Sequence, residues 1–497
     1  MLCRAGSSAA SPCSINSNPM NTVQKSVNFP ANRSIASGHA LRWDDLAFVV
    51  LVTLTGVSLF SGVETRIAGK IVRPFDALIT LSAGWMMLAH LSLTLKALER
   101  VKGIVLAWTL LIAIRAASAF FNGLGKDAVV VVIQGGEFVM LLLAVAVATR
   151  NVELRELFIK WFLLLVSAIA VYAFVLHVGG GMLANLKRLD EPKYSFGFVC
   201  VFLVGAWISG RPRMPSWVRI GLIIPAIALL LISGERSAWL GMIGVAAAFV
   251  RLGIFSLRSR NIARLILPMI GLLVLGSVTV VVLAHTNEFV SRQMQRFAEP
   301  ITLVDWKNGE IFYQYAESPS NKARLFQVAN LIDIAKTMPL TGTGTELYRY
   351  YAYSRSAGSG LSVISGMHGQ YTLFFAENGV LAFALYCMIW ILFFRGWRKL
   401  WGVGNAGTRE SLLFVYAVGI YSAIITWFIA GGSAGLFITF LPIGLLGGIL
   451  LQTRPSAKGF RGGAKSPRRS LRSRVAFGGD SIALRLSANK NRATQGL

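Results

Sequence analysis

Along this chain the hydrophobic residues gather into apolar runs of roughly 16–24 residues, separated by polar stretches that carry most of the charge. A helix of about 20 residues crosses a ~30 Å hydrocarbon core. The runs near 46–63, 75–95, 104–121, 128–148, 157–178, 194–209, 219–232, 237–250, 265–284, 371–394, 411–430 and 435–452 therefore predict about twelve transmembrane helices, the sixth to eighth of them short. Unpaired backbone N–H and C=O groups are too costly in lipid for any other open structure, so these spans are expected to be helical. The predicted fold class is an all-α integral membrane protein.

The pattern also divides the chain. Residues 1–45 form a polar, Ser- and Asn-rich N-terminal segment, 46–285 hold spans 1–9, 371–452 hold spans 10–12, and 453–497 form an Arg/Gly/Ser-rich tail expected to be disordered. The N-terminal segment has no early apolar h-region, so no cleavable secretory signal is expected at the written start, and Met20 offers a second start. Between spans 9 and 10 lies one long segment, 286–370, of 85 residues. Ordinary connections have about 4–6 residues, so a segment of this length is expected to carry function. Within it, Asn321–Lys336 reads as an amphipathic helix, with Ser320 or Asn321 at its start, Lys336 suiting its C-terminal dipole and Pro339 just beyond. A PLTGTG turn with Gly342 and Gly344 follows, then a stretch containing Tyr348, Tyr350, Tyr351 and Tyr353.

Composition agrees with the pattern. Only 14% of the 497 residues are charged, 55% are hydrophobic and mean hydropathy is +0.60, whereas soluble domains carry about 25% charged residues. The net charge of +27 invites a nucleic-acid reading. Its distribution argues against one, because the cations sit in short loops and in the tail, where they orient spans and meet anionic lipid. With the N-terminus inside, cytoplasmic segments hold 31 Lys+Arg and external segments 16, half of those in the one long loop. Both termini are thus expected in the cytoplasm and segment 286–370 outside. Cys3, Cys13, Cys200 and Cys387 form no ligand spacing.

No phosphate loop, HExxH or DxD pair is present, which weakens ATP-driven and metal-assisted nucleotide-sugar chemistry. No metal and no cofactor are implied. Glu137, inside the fourth span, is either a functional acid or a carboxylate paired with Arg115 or with helix-end groups. Three residues stand out on the expected outer face. Arg236, in the SGERSAW hairpin, offers a forked donor for phosphate, or else pairs with Glu235 or snorkels. Arg324, on the loop helix, faces phosphate or solvent. His368 opens span 10, where the helix dipole favours a neutral ring able to accept a proton; the other reading is an interfacial histidine bonded to backbone. The tyrosines suit sugar stacking or an interfacial belt, with the belt favoured.

The order of these features resembles the O-antigen ligase and polymerase superfamily, bacterial envelope glycosyltransferases that use lipid-diphosphate-linked glycans. The resemblance rests on ISGERSAWLG, RLFQVANLIDIAKTMPLTGTG and HGQYTLFFAENGVLAFALY, within about Arg219–Tyr386. It implies a GT-C-like fold with its site at the outer boundary of the bacterial inner membrane. It places Arg236 and Arg324 on the diphosphate, with Arg188 as a third cation, and His368 as the base that deprotonates an acceptor hydroxyl. Tyr371, Glu377, Gly342 and Gly344 would support the site. Gly369 stands where the family often has a small polar residue, and Lys193 where an asparagine is expected.

The implied activity is ligase-type transfer of a glycan from a polyprenyl diphosphate to a saccharide or lipid A-core acceptor, with inversion and without metal, in contact with membrane lipids and not with nucleic acid. An exopolysaccharide or O-antigen polymerase is the close alternative. A non-enzymatic transporter of lipid-linked sugars is a third, for which inverted repeats and broken helices would be the signature; the sequence shows neither.

Overall fold

The computed structural model describes residues 42–59, 65–67, 70–178, 192–209, 212–215, 217–218, 236–256, 298–305, 310–356, 369–404, 406–427 and 433–453, with a few isolated positions between them. Helix dominates. In chain order the bundle helices are α1 (Trp43–Ser58), α2 (Pro74–Ala89), α3 (Leu91–Phe121), α4 (Gly125–Ala148), α5 (Val152–Val178), α6 (Pro192–Ser209) and α7 (Arg236–Ser256). The loop helices α8 (Pro319–Thr337) and α9 (Tyr348–Ser356) follow, then α10 (Gln370–Val403), α11 (Ala406–Ile425) and α12 (Ser433–Gln452). Two short antiparallel hairpins accompany them: β1 (Thr65–Ile67) with β2 (Lys70–Val72), and β3 (Val304–Asp305) with β4 (Glu310–Ile311).

Among the described residues, Leu91–Phe121, Gly125–Ala148, Gln370–Gly402 and Gly407–Ile425 are long and apolar enough to cross a membrane. Pro74–Ala89, Gly197–Ala206, Ser237–Leu252 and Leu436–Gln452 are shorter apolar helices. The chain is a helical membrane protein. The apolar runs at 219–232 and 265–284, like the segments 1–41 and 454–497, lie outside the described residues.

Helix ends depart from the apolar runs in both directions: α1, α2 and α11 stop short of theirs, while α3 and α10 extend through charged residues beside theirs. The second and third runs suggest a polar break over 96–103, yet α3 runs through Lys96, Glu99, Arg100 and Lys102, and the chain breaks instead at His90. Leu, Ala, Lys, Glu and Arg are all strong helix formers. Hydropathy reports which residues tolerate lipid, not where the helical hydrogen bonds stop. For the same reason α10 continues through Arg395, Arg398 and Lys399 to Val403.

The starts follow local rules. Pro74 occupies the first turn of α2, and the Asp76 carboxylate accepts the Arg73 N–H at 2.9 Å. The Asn151 side chain accepts the Leu154 N–H at 2.7 Å at the head of α5.

In the bundle, α4 packs against α3 and α12, α10 against α3, and α11 against α6 and α7. Small residues allow the close approaches: Gly444, Gly447 and Gly448 of α12 lie on Val145 and Ala146 of α4 and on Thr149 at its C-cap. Trp108 of α3 meets Phe440 of α12 edge-on at 4.8 Å and donates its ring N–H to the Gly135 carbonyl at 3.0 Å. Tyr386 of α10 hydrogen-bonds Thr439 of α12 at 2.7 Å. At one end of the bundle Asp45 pairs with Arg150 and lies 3.9 Å from His90. The loop residues 298–356 sit at the opposite end, above the C-terminal turns of α3 and the first turns of α10.

The loop has its own small core, made of Phe326 and Ile334 of α8, Tyr348 and Ala352 of α9, Met367, and Ala376 of α10. The start of α8 corrects the expected cap. Pro319 is the first helical residue, with Ser318 before it at the cap position, so Ser320 and Asn321 both lie inside the first turn. The Glu299 carboxylate accepts the backbone N–H of Ser318 at 3.2 Å, together with the N–H of Glu317 and the side-chain amide of Asn321. A carboxylate at this position also complements the helix dipole. At the far end of α8, Asp333 accepts from Tyr351 and pairs with Arg355, tying α9 to α8.

Candidate functional site

The loop is fastened to the bundle where α10 is broken. Gly379 has φ 72° and ψ −167°, a conformation that interrupts the helix at its tenth residue and that only glycine adopts readily. The broken ladder would leave buried backbone groups without partners. The PLTGTG turn supplies them. Thr343 N–H donates to Ala376 C=O at 2.8 Å, Gly344 N–H to Glu377 C=O at 2.8 Å, and Val380 N–H to Pro339 C=O at 2.9 Å. Gly342 and Gly344 both have positive φ, and a Cβ at Gly342 would stand 2.5 Å from the Glu377 carbonyl carbon. Gly342 is therefore required by the close approach of two backbones, and Gly344 by its positive φ and by the Asn122 and Leu347 side chains that a Cβ would meet.

A polar cluster surrounds this joint. Arg115, on α3 and only 9% exposed, donates from Nη2 to Glu377 Oε2 at 3.2 Å and lies 3.9 Å from Glu346 Oε1. Its guanidinium carbon is 5.3 Å from the centre of the Phe374 ring. The Glu346 N–H donates to the other Glu377 oxygen at 3.1 Å, which holds Glu346 at φ 63°. Thr345 donates its hydroxyl to the Arg115 carbonyl at 2.9 Å and its N–H to Ser118 Oγ at 3.1 Å; Asn378 donates to the Thr345 hydroxyl at 2.8 Å. Removing one partner from a buried pair of this kind costs about 3–5 kcal/mol, because the other charge is stranded.

This geometry corrects one expectation. Arg115 pairs with Glu377 and Glu346, not with Glu137; Glu137 is half-buried and its charged neighbours are Asp76 and Arg73 at the head of α2. Coulomb attraction selects the nearer carboxylate, and the packing of α3 against α10 brings Glu377 there. Arg115, Glu346, Thr345 and Asn378 escaped the sequence reading as site residues. An arginine inside an apolar run signals a buried partner, and Asn378-Gly379 is a turn dipeptide inside a predicted span. Those two signals, read together, point to this joint.

The expected site residues fall into three groups. Gly342, Gly344 and Glu377 come together at the joint. Tyr371 is buried in the bundle, stacked on Trp427 at 4.4 Å and edge-on to Tyr386 at 4.7 Å, so it braces the start of α10 from inside. Arg324 is half-buried on α8 and makes no ion pair with any described residue. Arg236 is the first residue of α7, and nothing beyond that backbone position is described. His368 and Arg188 lie outside the described residues. The chain neighbours of His368 are placed: Met367 is buried in the loop core, and Gly369 has φ 94° and lies against the Trp427 carbonyl.

The tyrosines of α9 divide by face. Tyr348 is buried, and burial pushes its hydroxyl up to about 12, so it stays a neutral packing group. Burial likewise raises Tyr351, whose hydroxyl is engaged by Asp333. Tyr350 and Tyr353 are 66% and 75% exposed.

Comparison with known proteins bears on this same region. Residues 220–387 match the family described as Wzy_C, O-Antigen ligase. The matched segment, about a third of the chain, is similar to that family, and it spans Arg236, Arg324, the PLTGTG turn, His368 and the α10 break. No curated protein matches the chain.

Proposed function

From an O-antigen ligase segment at 220–387, we propose that the protein is a glycosyltransferase that moves a glycan from a polyprenyl-diphosphate carrier to an acceptor hydroxyl at the outer face of the bacterial inner membrane. The observation that carries this reading is Arg324. At the joint Arg115 is neutralised by Glu377 and Glu346, and the exposed Arg355 by Asp333, whereas Lys322, like Arg324, is half-buried on α8 with no ion pair among the described residues. Arg324 is half-buried, without an ion pair among the described residues, on a helix fastened to the start of α10. A cation held ready in this way suits a diphosphate that arrives from the membrane.

In the proposed reaction Arg236 and Arg324, with Arg188 as a third cation, bind the diphosphate. They stabilise the charge that grows there as the bond from the anomeric carbon to the phosphate oxygen breaks. The acceptor oxygen attacks the opposite face of that carbon, and His368 takes the proton it releases. The bonding pair leaves on the diphosphate, and the configuration inverts. A diphosphate is already a good leaving group, so arginines can do the work of a metal. Glu377, Tyr371, Gly342 and Gly344 hold the frame.

The acceptor is a lipid A-core or another saccharide, and chain extension by a polymerase of the same superfamily is the alternative. The transporter reading meets a new fact, because α10 is broken at Gly379 although its sequence reads as one apolar run. The break gives that reading no support: its freed groups are already bonded to the PLTGTG turn rather than open to a cargo.

The test is transfer by purified protein in lipid vesicles, with a polyprenyl-diphosphate glycan and a candidate acceptor. Product of inverted configuration is expected at an unchanged rate in chelator. Recovery of activity only on adding Mg²⁺ or Mn²⁺ would refute the metal-free mechanism, and donor crossing the bilayer without product would favour a transporter. Orientation is checked separately in a cysteine-free background. A cysteine at Asn308 should react with an impermeant reagent in intact cells, and one at Lys399 only after permeabilisation. The reverse pattern would put the proposed site on the wrong side.

A further inference from the structure

We infer that Arg115 is a positioning residue for the transfer reaction: by bridging Glu377 at the α10 break and Glu346 beyond the turn, it locks the loop that carries Arg324 onto the helix that begins next to His368. This inference rests on the glycosyltransferase reading, and its test has an arm that does not.

Arg115 lies on α3, an element that contributes none of the proposed chemistry. Its contacts all run to the joint. Nη2 serves both carboxylates, at 3.2 and 3.9 Å, and the backbone carbonyl accepts the Thr345 hydroxyl at 2.9 Å. One turn further on, Ser118 accepts the Thr345 N–H at 3.1 Å. The turn that ends α8 is thus held from two sides, by α3 through residues 115 and 118 and by α10 through residues 376–380. Without the guanidinium, Glu377 and Glu346 would face each other as like charges at the point where the loop must close. The spacing between α8 and the start of α10 decides whether Arg324 and His368 can act on one donor–acceptor pair. A displacement near 1 Å at such a spacing costs on the order of 100-fold in rate.

The experiment uses the full-length protein in nanodiscs, with spin labels at two exposed positions, Val328 on α8 and Lys126 at the head of α4. Labelled wild type should give one narrow distance distribution. Arg115→Met should broaden or shift it and lower kcat about 100-fold. Donor KM should rise as well, because the displaced loop carries Arg324, while Arg236, which is not on the loop, keeps part of the donor contact. Arg115→Met/Glu377→Gln removes the stranded charge and should restore part of both the narrow distribution and the rate. Arg115→Lys, a point charge that does not span both carboxylates, should be intermediate, and it carries the test if the Met variant fails to insert. A wild-type distribution in the variants overturns the lock. A broadened distribution with wild-type kcat overturns the positioning role. If wild type itself transfers no glycan, the functional reading has failed, and the distance measurement still decides the lock.

Discussion

Substituting His368 by Ala should lower glycan transfer by about 10²–10⁴-fold, the range for loss of a general base, while donor binding is largely retained. A base acts on the acceptor hydroxyl and makes no contact with the diphosphate. The arginines should behave differently. Arg324→Lys keeps the charge but not the forked pair of donors. Donor affinity should fall together with rate, since the diphosphate is charged before the transition state increases that charge. Arg236→Lys should follow Arg324→Lys. The measurement scores glycosylated acceptor and retained donor separately. Wild-type transfer by His368→Ala removes the histidine from the mechanism. Full transfer by all three variants, in cells where deletion of the protein still blocks surface glycan, would turn the assignment toward transport.

Substituting Gly379 by Ala should undo the joint between loop and bundle. The new Cβ would stand 2.1 Å from the Leu340 carbonyl oxygen and 2.3 Å from its carbon. Leu340 has no room to retreat, because Pro339, Thr343 and Gly344 on either side are bonded to α10. The φ of 72° adds its own strain of about 1–3 kcal/mol for a residue other than glycine. Together these predict a loss of about 3–5 kcal/mol, in the range reserved for strain and disrupted buried networks. It should be visible as a lower melting temperature in detergent and faster proteolysis within 298–356. Gly136→Ala on α4 is the control: that position has nothing within 4 Å of the added atom, and alanine is the better helix former. Equal melting of the two variants would show that the turn does not hold the break.

The joint also explains why a match limited to 220–387 is informative for a larger protein. The matched segment contains both partners of its central contact, the PLTGTG turn and the broken start of α10. The clamp on that contact comes from α3, more than one hundred residues before the matched segment. Arg115 and Glu377 are 262 positions apart.

What the sequence by itself determined were properties that each segment settles alone. An apolar run must be helical in lipid because its backbone has no other partner there, so among the described residues the helices are legible where hydropathy is high. The loop helix near 321–336 was legible from its charge placement and from the proline beyond it. The chemistry-bearing residues were legible as residue types, an arginine pair and a histidine ordered around a long loop. Helix ends were less legible, as α3 and α10 show, because helical hydrogen bonding outlasts the apolar run that reveals it. Only the tertiary structure decided which groups meet. The partner of Arg115 depends on which helix ends lie side by side, since Coulomb attraction acts through distance in space. The capping of α8 by Glu299 and the break at Gly379 depend in the same way on backbone groups brought from elsewhere in the chain. A broken helix is stable here only because a turn some 35 residues earlier supplies the hydrogen bonds that α10 gives up.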